Sequence, residues 1–387
     1  MSAPQKTPST SGLEGVVVAD TRLSEVDGER GQLIVSGYTV EELAGHVPFE
    51  SACWLLWRGQ LPDESQLEEV RRALGKARER AFQAIPRMGD ALRMGDGMES
   101  LRASLAHLSV SNPDLVGQSI DLTGAAAVLL AGWLRHRMEQ TPEPPNPELG
   151  HAEDLLRTAL GRPPSPRAVD ALNTYLVTVM DHGMNASTLA ARVVASTGSD
   201  MVSAVVAGVC ALKGPLHGGA PGPVLEMLQS IDYPARARPW LERELAAGRR
   251  IMGMGHRIYR VRDPRAAVLE QAIERLARAG LASEKLELAR TVEREAERLL
   301  QEKHPDRALR ANVEFYTAVL LDAIGLPSAA FSPTFAAGRV AGWCAHYIEQ
   351  HAVGRLIRPA SRYVGPWPKS LPRPAPAPTA SAGPTEK

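Results

Sequence analysis

From Thr39 onward, apolar positions recur at the spacing of a helix. Thr39 and Glu42 form a capping box ahead of Leu43. Phe49–Arg58 is apolar at intervals of three and four and stops at Gly59. Ser65–Phe82 sets an apolar stripe against a charged outer face. The same period predicts helices over 99–109, 119–138, 151–160, 167–180, 185–196, 235–248, 264–279, 283–302, 313–324 and 334–351. The run 200–213 starts at a cap, Ser199 or Asp200, and stops at Gly214-Pro215. Its middle, Met201–Leu212, reads as the longest uncharged apolar run and predicts a helix buried on all sides, in a large core or at a subunit interface. One short β signal precedes all this: Val16–Val18 and Gln32–Ser36 flank the turn-rich Asp27-Gly-Glu-Arg-Gly31, as a small hairpin would. With no internal repeat and no βαβ alternation, the predicted fold is all-α with a short N-terminal β hairpin. Residues 1–11 and 366–387, rich in Pro, Ser, Ala and Thr or Lys, predict disordered tails.

The chain's 387 residues suffice for two or three domains or one two-lobed enzyme. Hydrophobic residues make up 44% but aromatics only 5%, so Ala, Leu and Val must fill the core. Lys+Arg and Asp+Glu balance at 44 each, which argues against nucleic acid or an anionic membrane as partner of the whole chain. Any basic site must be local. Cys53, Cys210 and Cys344 are far apart and form no C-x-x-C pair, so they are expected to pack as small apolar groups in a reducing cytoplasm. Met1–Ser11 has no apolar core, unlike a signal peptide, and Met201–Leu212 is too short to span a bilayer. A soluble, cytoplasmic protein is the expectation.

The richest chemistry lies in Gly253-Met-Gly-His-Arg-Ile-Tyr-Arg-Val-Arg-Asp-Pro-Arg265. Asp263-Pro264 opens a helix, so Arg265 sits where the helix end is already partly positive. An anion at that spot would relieve the conflict. Taken alone the segment reads as a solvated basic turn. Gly214-Pro-Leu-His217-Gly-Gly-Ala220 follows the uncharged helix, and Asp181-His182-Gly-Met-Asn-Ala-Ser-Thr188 breaks a helical stretch with glycine. Taken alone, His217 reads as structural and His182 as either a core histidine or a functional one. Asn312 is an N-cap candidate that puts Glu314 in the first turn of a helix, where the positive end favours an ionised carboxylate, as a general base requires. Arg339 interrupts a small-residue helix, either facing solvent or buried with a partner, and Arg358 precedes Pro359 in extended backbone. The chain has no H-E-x-x-H, zinc-spaced Cys/His cluster, P-loop, G-x-S-x-G or complete dinucleotide fingerprint. Three histidines, one placed carboxylate and several arginines suit proton abstraction beside a carbonyl on a polycarboxylate.

At these residues the chain resembles citrate synthases, especially the bacterial dimeric type. The likeness runs from about Gly12 to Pro366 through the opening Gly-Leu-Glu-Gly-Val, the three histidine motifs, the Asp-Pro-Arg after His256, and Arg-Leu-Ile-Arg-Pro with Tyr-Val-Gly-Pro at the end. The resemblance implies an all-α homodimer with a large domain (12–216 and 325–365) and a small domain (217–324). Its implied reaction condenses acetyl-CoA with oxaloacetate to give citrate and CoA. Glu314 would abstract the methyl proton, His217 would stabilise the enol or enolate, and His256 would donate to the oxaloacetate carbonyl. His182, Arg265 and Arg339 would hold oxaloacetate, with Arg358 reaching in from the partner subunit. The backbone of Met252, Gly253, Met254 and Gly255 would lie near the CoA adenine, and Arg257, Arg260 or Arg262 would meet its phosphates. No metal or redox cofactor is implied.

Three positions depart from the commonest family pattern. The base is Glu314 where aspartate is usual, although the subgroup resembled also carries glutamate. Ala220-Pro221-Gly222 replaces Ala-Asn-Glu, and Val179 stands where histidine is frequent. Two other functions stay open: a 2-methylcitrate synthase using propionyl-CoA, and a non-catalytic binding or regulatory homologue.

Overall fold

The computed structural model describes residues 12–13, 15–110, 112–217 and 221–366. Within them, three strands precede fifteen α-helices. The strands are β1 (Ser24–Asp27), β2 (Gln32–Val35) and β3 (Tyr38–Thr39), paired antiparallel in that order. The first helices are α1 (Val40–Leu43), α2 (Phe49–Arg58), α3 (Glu64–Ala84), α4 (Gly97–Ala106), α5 (Leu115–Arg137), α6 (His151–Leu160), α7 (Pro166–Val179) and α8 (Ala186–Ser196). Then come α9 (Met201–Leu212), α10 (Pro221–Ile231), α11 (Ala237–Ala246), α12 (Pro264–Arg278), α13 (Ser283–Lys303), α14 (Val313–Ala323) and α15 (Phe331–Val353). The all-α expectation with a small N-terminal sheet holds.

Side-chain caps set most helix starts. Thr39, Asp63, Asp96, Asp114, Ser165, Asn185, Asp200, Asp263 and Asn312 each accept a first-turn N–H. Glycine at Gly59, Gly161 and Gly354 ends α2, α6 and α15 in the left-handed conformation. Helix α10 escaped the periodicity reading. Its opening Pro221-Gly222-Pro223 looks like a breaker, but prolines are tolerated in a first turn, where the N–H has no intrahelical partner.

The hairpin forms, but its first strand is Ser24–Asp27 and not Val16–Val18, whose Val16 and Val17 are exposed. The turn decides this. Asp27 Oδ1 accepts from the N–H groups of Glu29 (3.0 Å) and Arg30 (2.9 Å), and Asp27 pairs directly with Gln32. The residues immediately before the turn therefore become the partner strand.

Helices α5 and α15 pack on each other at the centre, with α3, α4 and α6 against α5 and α2, α7, α8 and α9 against α15. Trp133 and Trp343 are fully buried there, and Gly208 on α9 leaves room for the Trp343 ring. Helix α5 carries a longer uncharged run, Leu122–Leu134, than the one noted in α9. By length and composition α5 could cross a membrane, yet 72% of its apolar window is buried inside the protein, as in a core helix. Within one chain, helix α9 is not buried on all sides. Met201, Val205, Gly208, Val209 and Leu212 face the core, while Val206 and Ala207 are half-buried and Cys210 is exposed. Cys53 and Cys344 are buried as expected.

Helices α10–α14 pack mainly on one another, and α12 and α14 connect them to α7. The described residues to Leu356 form one compact unit; Ile357–Pro366 belong to another and are irregular in backbone. The tails predicted over 1–11 and 366–387 lie outside the described residues, apart from Pro366 itself.

One ion pair ties α3 to α6 inside the core. Arg78 Nε lies 2.8 Å from Asp154 Oδ2, both side chains 1% exposed, and Arg78 Nη2 also donates to Leu149 O at 2.7 Å. Asp154→Ala leaves the guanidinium buried without its carboxylate and should cost about 3–5 kcal/mol. Replacing both by apolar residues, Arg78→Met with Asp154→Leu, should cost less. Chemical denaturation of the two variants checks the order.

Candidate active site

One carboxylate organises the segment richest in candidate chemistry. Asp263 caps α12 by accepting from Arg265 N at 3.0 Å. It also accepts from Arg265 Nε at 3.0 Å and Nη2 at 2.7 Å, and from Val313 N, in the first turn of α14, at 3.2 Å. The anion that relieves Arg265 at a helix start is thus the chain's own Asp263, a partner the sequence reading did not assign. Arg265 is 3% exposed. Burial works against its charge, but Asp263, by charge and hydrogen bond, holds the guanidinium pKa above its ordinary value.

The loop before His256 is bent onto the start of α14. Met254 bridges Ala311, Gly255 N donates to Arg310 O at 2.7 Å, and Asn312 N donates to Gly253 O at 3.0 Å. Gly253 (φ +75°) and Gly255 (φ +90°) take the left-handed backbone this bend requires. Asn312 closes the junction: Nδ2 donates to Gly255 O at 2.9 Å, and Oδ1 accepts from Glu314 N at 3.0 Å. Glu314 therefore stands in the first turn of α14, as the sequence predicted, and is half-buried.

His256 Nδ1 accepts from the N–H groups of Ile258 and Tyr259, both at 3.1 Å. A nitrogen that accepts carries no proton, so the neutral ring carries its proton on Nε2. Burial, reinforced by Arg265, lowers the His256 pKa to about 4. The His182 ring meets it edge-on with centroids 5.6 Å apart, and His182 Nε2 lies 3.1 Å from the Tyr259 hydroxyl. Burial, then Arg265, His256 and Arg339, push the His182 pKa well below its ordinary value. His217 Nε2 lies 2.9 Å from Ser187 Oγ and 3.3 Å from Ser187 N. Burial and Arg339 lower its pKa to about 4. All three imidazoles are neutral at pH 7.

Arg339 does not face solvent; it is 1% exposed. Its Nε donates to Val179 O, and its guanidinium lies 4.8 Å from the Phe335 ring centroid. At Val179 the main-chain carbonyl thus supplies the polar contact that the side chain lacks. Among the described residues no carboxylate lies within ion-pair distance of Arg339. Burial, opposed by Asp181 and assisted by Arg265, brings its pKa down to about 10.

A further buried layer supports these groups. Ser24 Oγ donates to Asp181 Oδ2, and His346 Nε2 lies 3.2 Å from Asp181 Oδ1. Arg192 Nη1 can only donate, so His346 Nδ1, 3.0 Å away, accepts and Nε2 faces Asp181 as donor. Trp343 Nε1 donates to Ser187 Oγ at 3.2 Å. Tyr259, Asp263, Asp181, Ser187, Ser24 and His346 were not singled out from sequence. Asp263 had a signal, its position as helix cap. Ser24 and His346 had none, because their partner Asp181 lies 157 and 165 residues away.

Of the remaining predicted residues, Met252 and Met254 are half-buried, Gly253 is buried and Arg257 is exposed. Arg262 is committed to Glu293 and Glu270, each at 2.7 Å, and so is not free for phosphates. Arg358 belongs to the second unit. Gly218, Gly219 and Ala220 lie outside the described residues. Among the described residues no three His, Cys, Asp or Glu side chains group as metal ligands would.

A family model described as citrate synthase, C-terminal domain, matches residues 12–360. The 2-methylcitrate synthase of Mycobacterium tuberculosis is 34% identical over 386 residues, covering 96% of this chain and 95% of its own. Citrate synthase 2 of Bacillus subtilis is 35% identical, covering 92% of this chain and 96% of its own. The crystal structure of citrate synthase from Thermotoga maritima matches with a TM-score of 0.81 at 33% identity, covering 94% of this chain and 98% of that one. The ternary complex of carboxymethyl coenzyme A and oxaloacetate with citrate synthase from Thermoplasma acidophilum matches with a TM-score of 0.83 at 31% identity and the same coverage, 94% and 98%.

The depressed histidines make stability depend on pH. Below about 6.5 the unfolded chain binds protons that folded His217 and His256 refuse until about pH 4. Stability should therefore fall as pH drops from 6.5 toward 4, with His182 and His151 adding to the slope. Melting temperature measured across this window should decline, and less steeply in a His217→Asn/His256→Asn variant.

Proposed function

The chain belongs to the citrate synthase family, and from that premise we propose that it condenses oxaloacetate with the acetyl group of acetyl-CoA, then hydrolyses the thioester to citrate and CoA. The observation that carries this reading is Arg339. A fully buried guanidinium with no ion-paired carboxylate among the described residues, beside a second buried arginine, calls for an anionic ligand. A dicarboxylate fits that need.

In this reading Arg339 takes one carboxylate of oxaloacetate. Arg265, with Nε and Nη2 on Asp263, offers Nη1 to the substrate. His182 assists, and Arg358 reaches in from the partner subunit. His256 presents Nε2–H to the ketone oxygen, as a neutral imidazole polarising a carbonyl. Glu314 takes a methyl proton from acetyl-CoA, and His217 stabilises the resulting enol or enolate through the thioester oxygen. The carbon so activated attacks the ketone carbon, whose oxygen is protonated at His256. Water then cleaves the thioester, and CoA leaves as the thiol. Met252–Gly255 would border the CoA adenine, with Arg257 near its phosphates. These steps are proton transfer and positioning, and the proposal includes no cofactor.

A homodimer completes the proposal. The open face of α9, with Val206, Ala207 and Cys210, supports a subunit contact there. A second acyl donor has equal support from the relatives: one of them is a 2-methylcitrate synthase. Acetyl and propionyl differ by one methylene, about 1–3 kcal/mol in a pocket.

Thiol release with oxaloacetate and each acyl-CoA tests both. Faster turnover with propionyl-CoA selects 2-methylcitrate synthesis; no release with either donor overturns the enzyme reading and leaves a non-catalytic homologue. Glu314→Gln should abolish turnover while calorimetric binding of oxaloacetate survives. Chains carrying Arg358→Ala and Glu314→Gln should each be inactive alone. Mixed dimers of the two should regain about half the wild-type activity, since one of two sites is then complete.

A further inference from the structure

We propose that the N-terminal β-hairpin is a positioning element of the catalytic site, which clamps the His182 loop to the His256 loop through Ser24 and the Gly28–Gly31 turn. The inference rests on the reading of these two histidines as oxaloacetate contacts.

At its base the hairpin grips the residues on either side of His182. Ser24 Oγ donates to Asp181 Oδ2 and accepts from Gly183 N at 2.9 Å. A side chain on Gly183 would stand 3.1 Å from Val26 Cγ2, so β1 packs closely over this turn. At its tip the hairpin grips the residues after His256. Arg260 N donates to Gly28 O at 2.9 Å. A Cβ on Gly28 would lie 2.3 Å from Ile258 O, and one on Gly31 would lie 2.4 Å from Val261 Cγ2. Gly28 does not take a left-handed backbone, so close approach is what demands glycine there. Ile258 and Tyr259 are also the residues whose N–H groups hold His256 Nδ1. The hairpin therefore bears on the orientation of both rings, which stand 5.6 Å apart.

The hairpin is anchored at one side and lightly buried at the other. Leu33 and Val35 of β2 enter the core, while Glu25, Glu29 and Arg30 are exposed. Loosening its outer contacts should thus disturb the spacing of the two loops more than the fold. Oxaloacetate, the substrate that touches both loops, should register the change more than the acyl-CoA, which meets the His256 loop alone.

The test measures oxaloacetate binding by calorimetry, steady-state kinetics and melting temperature for Ser24→Ala, Ser24→Thr and Gly28→Ala, with Glu29→Ala at the exposed tip as control. Ser24→Ala and Gly28→Ala should raise Kd and KM for oxaloacetate about tenfold, part of the roughly 10²-fold that a misplacement near 1 Å can cost. KM for acyl-CoA should rise less than that for oxaloacetate, and the melting temperature should fall modestly, since each variant loses a partly buried hydrogen bond or a tight backbone contact. Ser24→Thr, which keeps the hydroxyl, should recover most of the affinity. A lowered melting temperature with unchanged oxaloacetate binding would reduce the hairpin to a structural part. Wild-type protein that binds no oxaloacetate would overturn the site reading and the clamp with it. Wild-type binding that both variants leave intact would overturn the clamp alone.

Discussion

The Asp263 carboxylate is the constraint on which the candidate site depends. It accepts four hydrogen bonds: one caps α12, two hold the Arg265 guanidinium, and one reaches the first turn of α14. A buried carboxylate with this many donors satisfies the desolvation demand of both charges in one place. It also makes two helix starts a single rigid corner. Arg265 hangs from one helix and Glu314 from the other, so their relative position is settled by a residue that belongs to neither role. The bridge between Met254 and Ala311 brings the His256 loop into the same corner.

Burial does a second thing here: it keeps the three imidazoles neutral. Each lies close to a buried arginine, so desolvation and positive charge act in the same direction. The backbone then selects the tautomer at His256. A neutral ring with one defined N–H is a directional hydrogen-bond donor, which suits a carbonyl better than a free cation would. The arginines thus tune the groups around them.

The core reaches into the site through α15. Arg339, Trp343 and His346 lie along one helix and touch, respectively, Val179, Ser187 and Asp181. Gly342 on the same helix leaves so little room that a Cβ would lie 2.1 Å from Met180 O. Close packing of α15 against the His182 loop is therefore part of what holds the loop, and the hairpin covers it from the other side through Ser24.

Local sequence determined most of the helices, their caps and the helix-start position of Glu314, because each depends on residues a few positions apart. Periodicity sets a buried face, and an Asx or Ser side chain reaches only the next turn. Tertiary structure decided what periodicity cannot carry. It set the open face of α9, which neutral composition alone did not distinguish from a buried one; the start of β1 was set locally, by the turn at Asp27, which periodicity does not read. It assigned Asp263 as the partner of Arg265 and buried Arg339, since charge in a sequence does not reveal its solvent. Ser24, Asp181 and His346 meet only after the chain has folded, and no local pattern encodes a hydrogen bond between groups more than 150 residues apart.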